Sequence, residues 1–119
     1  MMLDWNDYQQ QVQALVTELG RSSPGTTRGY RELSNAGAAK DLLGAKTREL
    51  IALAVAVTRQ CDGCIVIHTD AALKHGATRD EIAEALGVAI AVNAGAALVF
   101  STRVMDAHAA KIAGSTPDA

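Results

Sequence analysis

The sequence from Arg48 to Gly76, R-E-L-I-A-L-A-V-A-V-T-R-Q-C-D-G-C-I-V-I-H-T-D-A-A-L-K-H-G, combines a continuous apolar run with both cysteines of the chain. Residues 50–57 are all apolar, which predicts a helix that is buried on most sides. Residues 62–75 predict a second helix, and Gly76 is a typical residue for ending it. A short connection near Gln60 would fold the two helices back on each other as an antiparallel pair. The stretch therefore predicts a helical hairpin at the centre of the fold.

Four reactive side chains lie within this stretch: Glu49, Cys61, Cys64 and His68. The two cysteines and His68 follow at intervals of three and four residues, so they share one face of a helix that begins near Cys61. Glu49 lies three turns before the connection, and His68 lies two turns beyond it. A buried carboxylate requires a partner, and an imidazole can supply one. The spacing therefore predicts a Glu–His–Cys cluster between two helices.

The spacing of the two cysteines indicates thiol redox chemistry. A thiol becomes reactive as its thiolate, and its pKa falls at a helix N-terminus, beside a protonated histidine and within C-x-x-C. We expect all three influences to lower the pKa of Cys64. A thiolate that attacks a peroxide becomes a sulfenic acid, which a nearby thiol condenses to a disulfide. This chemistry predicts attack by Cys64, resolution by Cys61, and proton transfer by His68 and Glu49.

The composition limits the class of protein. A chain of 119 residues is the usual size of one domain, here taken as residues 1–119. Aromatic residues make up 3% of the sequence, and the small aliphatic residues that remain favour closely packed helices over a β-sandwich. The formal net charge is −2, and the absence of a basic patch argues against binding to nucleic acid or to an anionic membrane surface.

The cysteine usage and the first residues of the sequence predict a cytoplasmic location. The start, M-M-L-D-W-N-D-Y, has neither the basic nor the apolar region of a signal peptide. Two cysteines this close in sequence cannot crosslink distant parts of a fold. In a chain without an export signal, C-x-x-C indicates redox or metal chemistry.

The residue pattern along the chain predicts an all-α protein of about six helices. Pro24, Gly25 and Gly29 indicate a loop over residues 21–29. Thr78 and Glu81 form a capping-box pattern that opens a long helix. We expect that helix to break or kink at residues 93–95, Asn-Ala-Gly, and residues 114–119 to be frayed. The predicted helices span residues 5–19, 30–39, 45–59, 62–75, 82–91 and 96–112.

Residues 82–100 are long and apolar enough to be considered as a membrane span. Glu84 near the start, Asn93 and Gly95 within the segment, and the lack of flanking charge asymmetry argue against a span. A helix that is apolar on all sides in so short a chain is better explained by burial at a subunit interface. Ala and Gly residues there would let helices approach closely.

The combined pattern E-x11-C-x-x-C-x3-H resembles the carboxymuconolactone decarboxylase superfamily, specifically its alkylhydroperoxidase D-like branch. The resemblance covers the core from about Leu42 to Arg103. It implies an all-helical fold that assembles as a homotrimer or homohexamer. It also implies a thiol-dependent peroxidase for antioxidant defence, which reduces a hydroperoxide with electrons from a dithiol reductant, such as a thioredoxin-like or lipoyl protein. The resemblance implies no cofactor.

Carried over residue by residue, Cys64 matches the peroxidatic cysteine of that branch and Cys61 matches its resolving partner. His68 and Glu49 match the proton relay. The characterised peroxidase of the branch has a second histidine directly before its peroxidatic cysteine, whereas this chain has Gly63. The decarboxylase that names the superfamily does not need the cysteine pair, so the presence of both cysteines argues against that activity.

Several alternatives remain open from the sequence. The cysteines could be inert core thiols, because free cysteine is often buried. A structural zinc site needs four ligands, and this stretch offers three, so we expect no metal. Ile65 follows Cys64 where a c-type haem would need histidine. The protein could also be a redox-sensing or structural oligomer without turnover, or a decarboxylase that acts on a lactone.

Overall fold

The structure is a computed structural model, which describes residues 1–115, and it is all-α over that part of the chain. Five helices follow one another, where the sequence predicted about six. They are α1 (Trp5–Ser22), α2 (Pro24–Lys40), α3 (Ala45–Thr58), α4 (Asp62–Lys74) and α5 (Arg79–Ser115).

The predicted hairpin of α3 and α4 is confirmed, and it contains the centre of the core. Gln60 adopts a left-handed conformation, with φ of 53°, and the N–H of Cys61 donates to the carbonyl of Ala56 at 3.1 Å. These features reverse the chain within three residues. The buried cluster lies between α3, α4 and the segment that leads into α5; its members are Leu53, Ala72 and Ala77, with Leu50 and Ile82 packed against it.

The N-terminal end of α5 has the predicted capping box. The N–H of Glu81 donates to Thr78 Oγ1 at 3.0 Å, and Glu81 Oε1 accepts from the N–H of Thr78 at 2.9 Å. Each side chain therefore satisfies a backbone donor that the first helical turn leaves free. Lys46 reaches the same carboxylate at 2.7 Å, which links α3 to α5.

The expected break at residues 93–95 is wrong, because α5, which is 37 residues long, continues through them without interruption. The Asn93 side chain bonds one turn back on its own helix and across to α3 without interrupting α5. Its Nδ2 donates to the carbonyl of Ala89 at 2.8 Å and to Thr58 Oγ1 at 2.8 Å, which joins α5 to α3. Gly95 costs a helix about 1 kcal/mol relative to alanine, and a long apolar helix can absorb that cost.

The expected loop over residues 21–29 is also wrong. The first helix does not stop at Gly20 but continues to Ser22, and α2 begins two residues later at Pro24. Proline suits the first position of a helix, because its fixed φ is already helical and its missing N–H is not needed there. The two helices pack on each other, and α1 also packs on α4.

Much of the apolar surface of the single chain is exposed. The buried apolar residues of the described chain are few and mostly small: Leu53, Ala56, Val66, Ala72, Ala77 and Ala89. In the described residues, α5 is long and apolar enough to cross a membrane by length and composition alone, with a mean hydropathy of 1.9 over its most apolar window. Core helices of soluble proteins pass the same test.

The frayed tail predicted for residues 114–119 is wrong for its first two residues, Gly114 and Ser115, which belong to α5. The last four residues lie outside the described part of the chain.

Candidate active site

Glu49 and His68 meet between α3 and α4, as the spacing predicted. The His68 Nδ1 and Glu49 Oε2 atoms lie 2.7 Å apart, and both side chains are less than one third exposed. A carboxylate that accepts from Nδ1–H fixes the imidazole in the tautomer whose Nε2 is free to accept a proton. The pair is therefore arranged as an oriented base.

Cys61 caps the N-terminus of α4 and does not lie inside the helix. Its backbone is extended, with φ of −104° and ψ of 101°, and its Sγ accepts the N–H of Cys64 at 3.2 Å. A cap residue places its side chain against the N–H of the third helical residue. The two cysteines of C-x-x-C are three residues apart, which is the separation between a cap residue and the third helical residue. The same spacing therefore pairs the thiols and makes Cys61 the helix cap.

The expected lowering of the Cys64 pKa is wrong. The Cys61 side chain beside it raises the pKa of the Cys64 thiol above its ordinary value, and partial burial adds to the effect. A backbone hydrogen bond acts in the opposite direction but is outweighed. Cys61, and not Cys64, occupies the cap position at the N-terminus of α4. Both cysteines are free thiols in the structure.

Both sulfurs open onto an apolar groove of about 580 Å³ between α1, α2 and the start of α4. No charged side chain lines this groove. Its walls include Val12 and Val16 from α1, and Tyr30 from α2, together with Ile67 from α4. This groove was not predicted from the sequence, because Thr26 and Thr27 of its wall lie where a loop was expected.

Gly63 lies between the two cysteines and faces α1. A Cβ at this position would meet Val12 Cγ1 at 3.7 Å, which is ordinary van der Waals contact. α1 is therefore packed directly against the turn that carries the thiols. A second cavity, of about 440 Å³ between α1 and α4, is lined by residues such as Trp5 and Asp70 and by none of the four predicted site residues.

Over residues 1–115, no group of three or more His, Cys, Asp or Glu side chains is placed to hold a metal ion. The chemistry available at the site is that of two neighbouring thiols and one carboxylate–imidazole pair. These groups and the five-helix fold define an all-α protein with a C-x-x-C dithiol site.

Comparison with known proteins identifies the family. The model of the carboxymuconolactone decarboxylase family matches residues 24–107. The chain belongs to this family. The matched segment begins at the start of α2, so α1 lies outside it although α1 forms one wall of the groove.

The chain is similar to relatives in several bacteria. An uncharacterized protein of Haemophilus influenzae is 45% identical over 108 residues, which are 91% of this chain and 96% of the relative. An uncharacterized protein of Cupriavidus necator is 33% identical over 73% of this chain and 77% of the relative. An uncharacterized protein in the cox locus of Paracoccus denitrificans is 35% identical over 77% of this chain and 83% of the relative.

A solved structure has a similar fold. The crystal structure of an apo carboxymuconolactone decarboxylase family protein from Legionella pneumophila matches with a TM-score of 0.71 and 31% identity. The match covers 87% of this chain and 92% of the Legionella chain. The all-α fold is therefore that of the family.

Proposed function

We propose that the protein is a thiol-dependent hydroperoxide reductase of the alkylhydroperoxidase D-like branch. The observation that carries this proposal is the 2.7 Å hydrogen bond between Glu49 and His68, formed one helical turn beyond a reduced C-x-x-C pair. Peroxide reduction requires a base as well as a thiol, because the attacking sulfur must lose a proton and the leaving oxygen must gain one. His68, which is oriented by Glu49 and lies four residues after Cys64, supports that role.

In the oxidative step, the Cys64 sulfur attacks the outer oxygen of the hydroperoxide and breaks the O–O bond. The thiol proton passes through His68 to the departing alkoxide, so the products are an alcohol and a sulfenic acid on Cys64. The raised pKa of Cys64 makes the base necessary, since little thiolate would form on this sulfur unaided. Glu49 stabilises the imidazolium that forms during the transfer.

In the reductive half of the cycle, Cys61 attacks the sulfenic sulfur, releases water and forms the Cys61–Cys64 disulfide. A dithiol donor, such as a thioredoxin-like or lipoyl protein, then reduces the disulfide and is itself oxidised. We place this cycle in the cytoplasm, where dithiol donors keep cysteines reduced.

The groove supports an organic hydroperoxide as the substrate. Its lining is apolar and uncharged, and both sulfurs open into it. Burial of apolar substrate surface contributes roughly 25 cal/mol per Å² to binding, whereas hydrogen peroxide has no such surface to bury. An aliphatic or aromatic hydroperoxide should therefore be preferred.

We also propose that the chain assembles as a homotrimer or homohexamer. The support is the exposed apolar surface of α5, which a single chain leaves in contact with water. Large exposed apolar surfaces of this kind are typical of protein interfaces.

The function is tested by measuring consumption of an organic hydroperoxide with a generic dithiol donor. We expect turnover by the wild type, loss of at least about 100-fold in Cys64→Ser, and accumulation of sulfenic acid without turnover in Cys61→Ser. Circular dichroism would check that both variants keep their helices. Turnover that survives in Cys64→Ser would contradict the assignment of the nucleophile.

A second candidate function is a redox-responsive oligomer without turnover. It is favoured by the raised pKa of Cys64, which slows peroxide attack, and by the exposed surface of α5. A change of assembly state on disulfide formation, with peroxide consumption at background, would support it. Conversion of a lactone that persists after both cysteines are alkylated would instead indicate the decarboxylase activity.

A further inference from the structure

We propose that the apolar groove selects organic hydroperoxides that carry an anionic head group, a carboxylate or a phosphate. The head group would be bound by Arg21, Arg28 and Arg31, where α1 and α2 meet. The apolar part of the molecule would lie in the groove, with its peroxide beside the cysteines. The statement about substrates rests on the proposed peroxidase function, whereas the statement about anion binding concerns the protein alone.

The three arginines surround a separate pocket of about 350 Å³ between α1 and α2. Arg21 belongs to the last turn of α1. Arg28 and Arg31 are three residues apart on α2, so they share one face of that helix. A guanidinium group presents several N–H donors in a plane and binds carboxylate or phosphate oxygens in pairs. The formal net charge of −2 does not reveal this cluster, because its members come from two helices.

The three guanidinium groups are available to a ligand. Over residues 1–115 the structure has four ion pairs, and none of them uses these arginines. Glu18 and Glu32 are the acidic residues nearest to them in sequence, and neither lines the pocket. The pocket therefore has three positive charges in its lining and no negative charge.

The arginine pocket adjoins the apolar groove, because Val16, Thr17 and Thr27 line both. Val12, nearer the start of α1, packs against the turn that carries the thiols. From Val12 to Arg21 the helix rises about 14 Å, at 1.5 Å for each residue. An aliphatic chain of similar length would place its head group at the arginines and its peroxide at the sulfurs.

The hydroxyl groups near the arginines already donate to the backbone. Thr17 Oγ1 donates to the carbonyl of Gln13 at 2.9 Å, and Thr27 Oγ1 donates to the carbonyl of Pro24 at 3.3 Å. The guanidinium groups are therefore the donors for an anion. Because they are exposed, each contact contributes little and salt weakens it. The cluster would thus select among hydroperoxides, while the apolar groove contributes most of the binding.

The first test is a binding measurement that needs no peroxide. Isothermal titration calorimetry with octanoate, octyl phosphate and 1-octanol compares three head groups on the same apolar chain. We expect both anions to bind about fivefold more tightly than the alcohol at low ionic strength, and the difference to disappear at about 0.5 M salt. The anion that binds more tightly identifies the preferred head group. Anions that bind no more tightly than the alcohol would overturn the inference.

Substitution of the arginines locates the anion site. The combined variant Arg21→Gln, Arg28→Gln and Arg31→Gln removes three exposed charges and keeps side chains that suit a helix. It should bind the anions and the alcohol equally. The single variant Arg28→Gln should lose part of the preference. Arg79→Gln, which changes the net charge equally at an exposed residue of α5 outside both pockets, should keep it. Equal losses in the two single variants would overturn the inference.

The second test compares turnover of linoleic acid hydroperoxide with turnover of its methyl ester, at concentrations too low for micelles. We expect kcat/KM for the acid to be about fivefold higher in the wild type and equal to that for the ester in the combined variant. Equal values in the wild type, with both compounds reduced, would overturn the inference and leave the proposed function standing. Retained anion binding without turnover of any hydroperoxide would contradict the proposed function and leave the anion site standing.

Discussion

The carboxylate of Glu49 determines which nitrogen of His68 remains available to the site. It lies 2.7 Å from Nδ1, so Nε2 is the nitrogen that can take a proton. His68 without this partner would keep its place on α4 but would lose the contact that fixes its tautomer. The orientation of His68 therefore depends on a residue from a different helix.

We expect Glu49→Gln to lower kcat for hydroperoxide reduction about 100-fold, with little change in KM, since an amide can fill the same space but cannot stabilise the imidazolium. Steady-state kinetics with a dithiol donor would measure this. Glu84→Gln, which alters an exposed carboxylate on α5, is the matched control and should be as active as the wild type. A fall in KM of the same size as the fall in kcat would contradict a role in proton transfer.

For single residues, the sequence predicted which side chains meet better than it predicted the direction of a pKa. Fixed helical spacing and a short connection were sufficient to bring Glu49 to His68. The direction of the Cys64 pKa was wrong although the start of α4 at residue 62 was predicted correctly. The Cys61 side chain and partial burial raise this pKa, and they outweigh the backbone hydrogen bond that lowers it.

Helix α1 forms one apolar wall of the groove, although it lies outside the segment that matches the family. Val16 lines the groove, and we expect Val16→Asp to raise KM for an organic hydroperoxide about tenfold. The hydrated carboxylate in the groove wall would weaken binding of the apolar part of the substrate. Reduction of hydrogen peroxide, which has no apolar part, should be unchanged. Kinetics with the two peroxides would measure the ratio.

The neighbouring Leu15→Asp is the control for this prediction. Leu15 is also exposed on α1, but it does not line the groove. It should leave the ratio of the two activities as in the wild type. Equal effects of the two substitutions would show that α1 acts through stability and not through selection of substrate.

The start of α5 should make stability depend on acid pH. Lys46, and then the Thr78 backbone N–H, lower the pKa of Glu81 below its ordinary value of 4.5. A lowered pKa in the folded state means that the contribution is present above about pH 4.5 and is lost as the pH falls through the folded value. We expect the thermal unfolding temperature of Glu81→Gln to fall less than that of the wild type over this range.

Glu84→Gln again serves as the control for the pH dependence, since its carboxylate lies on the same helix without an ion pair to a basic residue. It should follow the wild-type curve. A Glu81→Gln curve parallel to that of the wild type would assign the acid sensitivity to other groups, such as Asp70, whose pKa is also lowered.

The helices were predicted well where apolar periodicity or a capping pattern was strong, as in α3 and α4. Two of the errors came from residues that usually interrupt helices. Pro24 begins a helix where a loop was expected, and Asn93 bonds across to α3 where a break was expected. Tertiary contacts decided the second case, and a single sequence does not reveal them.

Over residues 1–115 few side chains are buried, while α5 exposes large apolar residues along most of its length. The residues concerned are each more than half exposed: Val88, Ile90, Val92, Leu98, Val99, Phe100, Val104 and Met105. Folding of one chain leaves this surface in water, so association would add stability that the single chain lacks.

We expect Leu98→Glu to shift the protein towards the single chain, because a carboxylate buried at an apolar interface costs several kcal/mol. Size-exclusion chromatography with light scattering would measure the mass. Leu98→Met keeps an apolar side chain of similar volume and should assemble as the wild type does. A wild type that runs as a single chain at all concentrations would contradict the proposed assembly.

The length of α5 also has a consequence for biosynthesis. The helix of 37 residues rises about 55 Å, and it follows the α3–α4 hairpin in the order of translation. A newly synthesised chain that has folded but has not met a partner leaves the apolar side chains of α5 in water. Such a chain would be prone to aggregate. The need for chaperones should therefore fall when more partner chains of the same kind are available. Expression of the chain at a higher level should then improve the recovery of soluble protein.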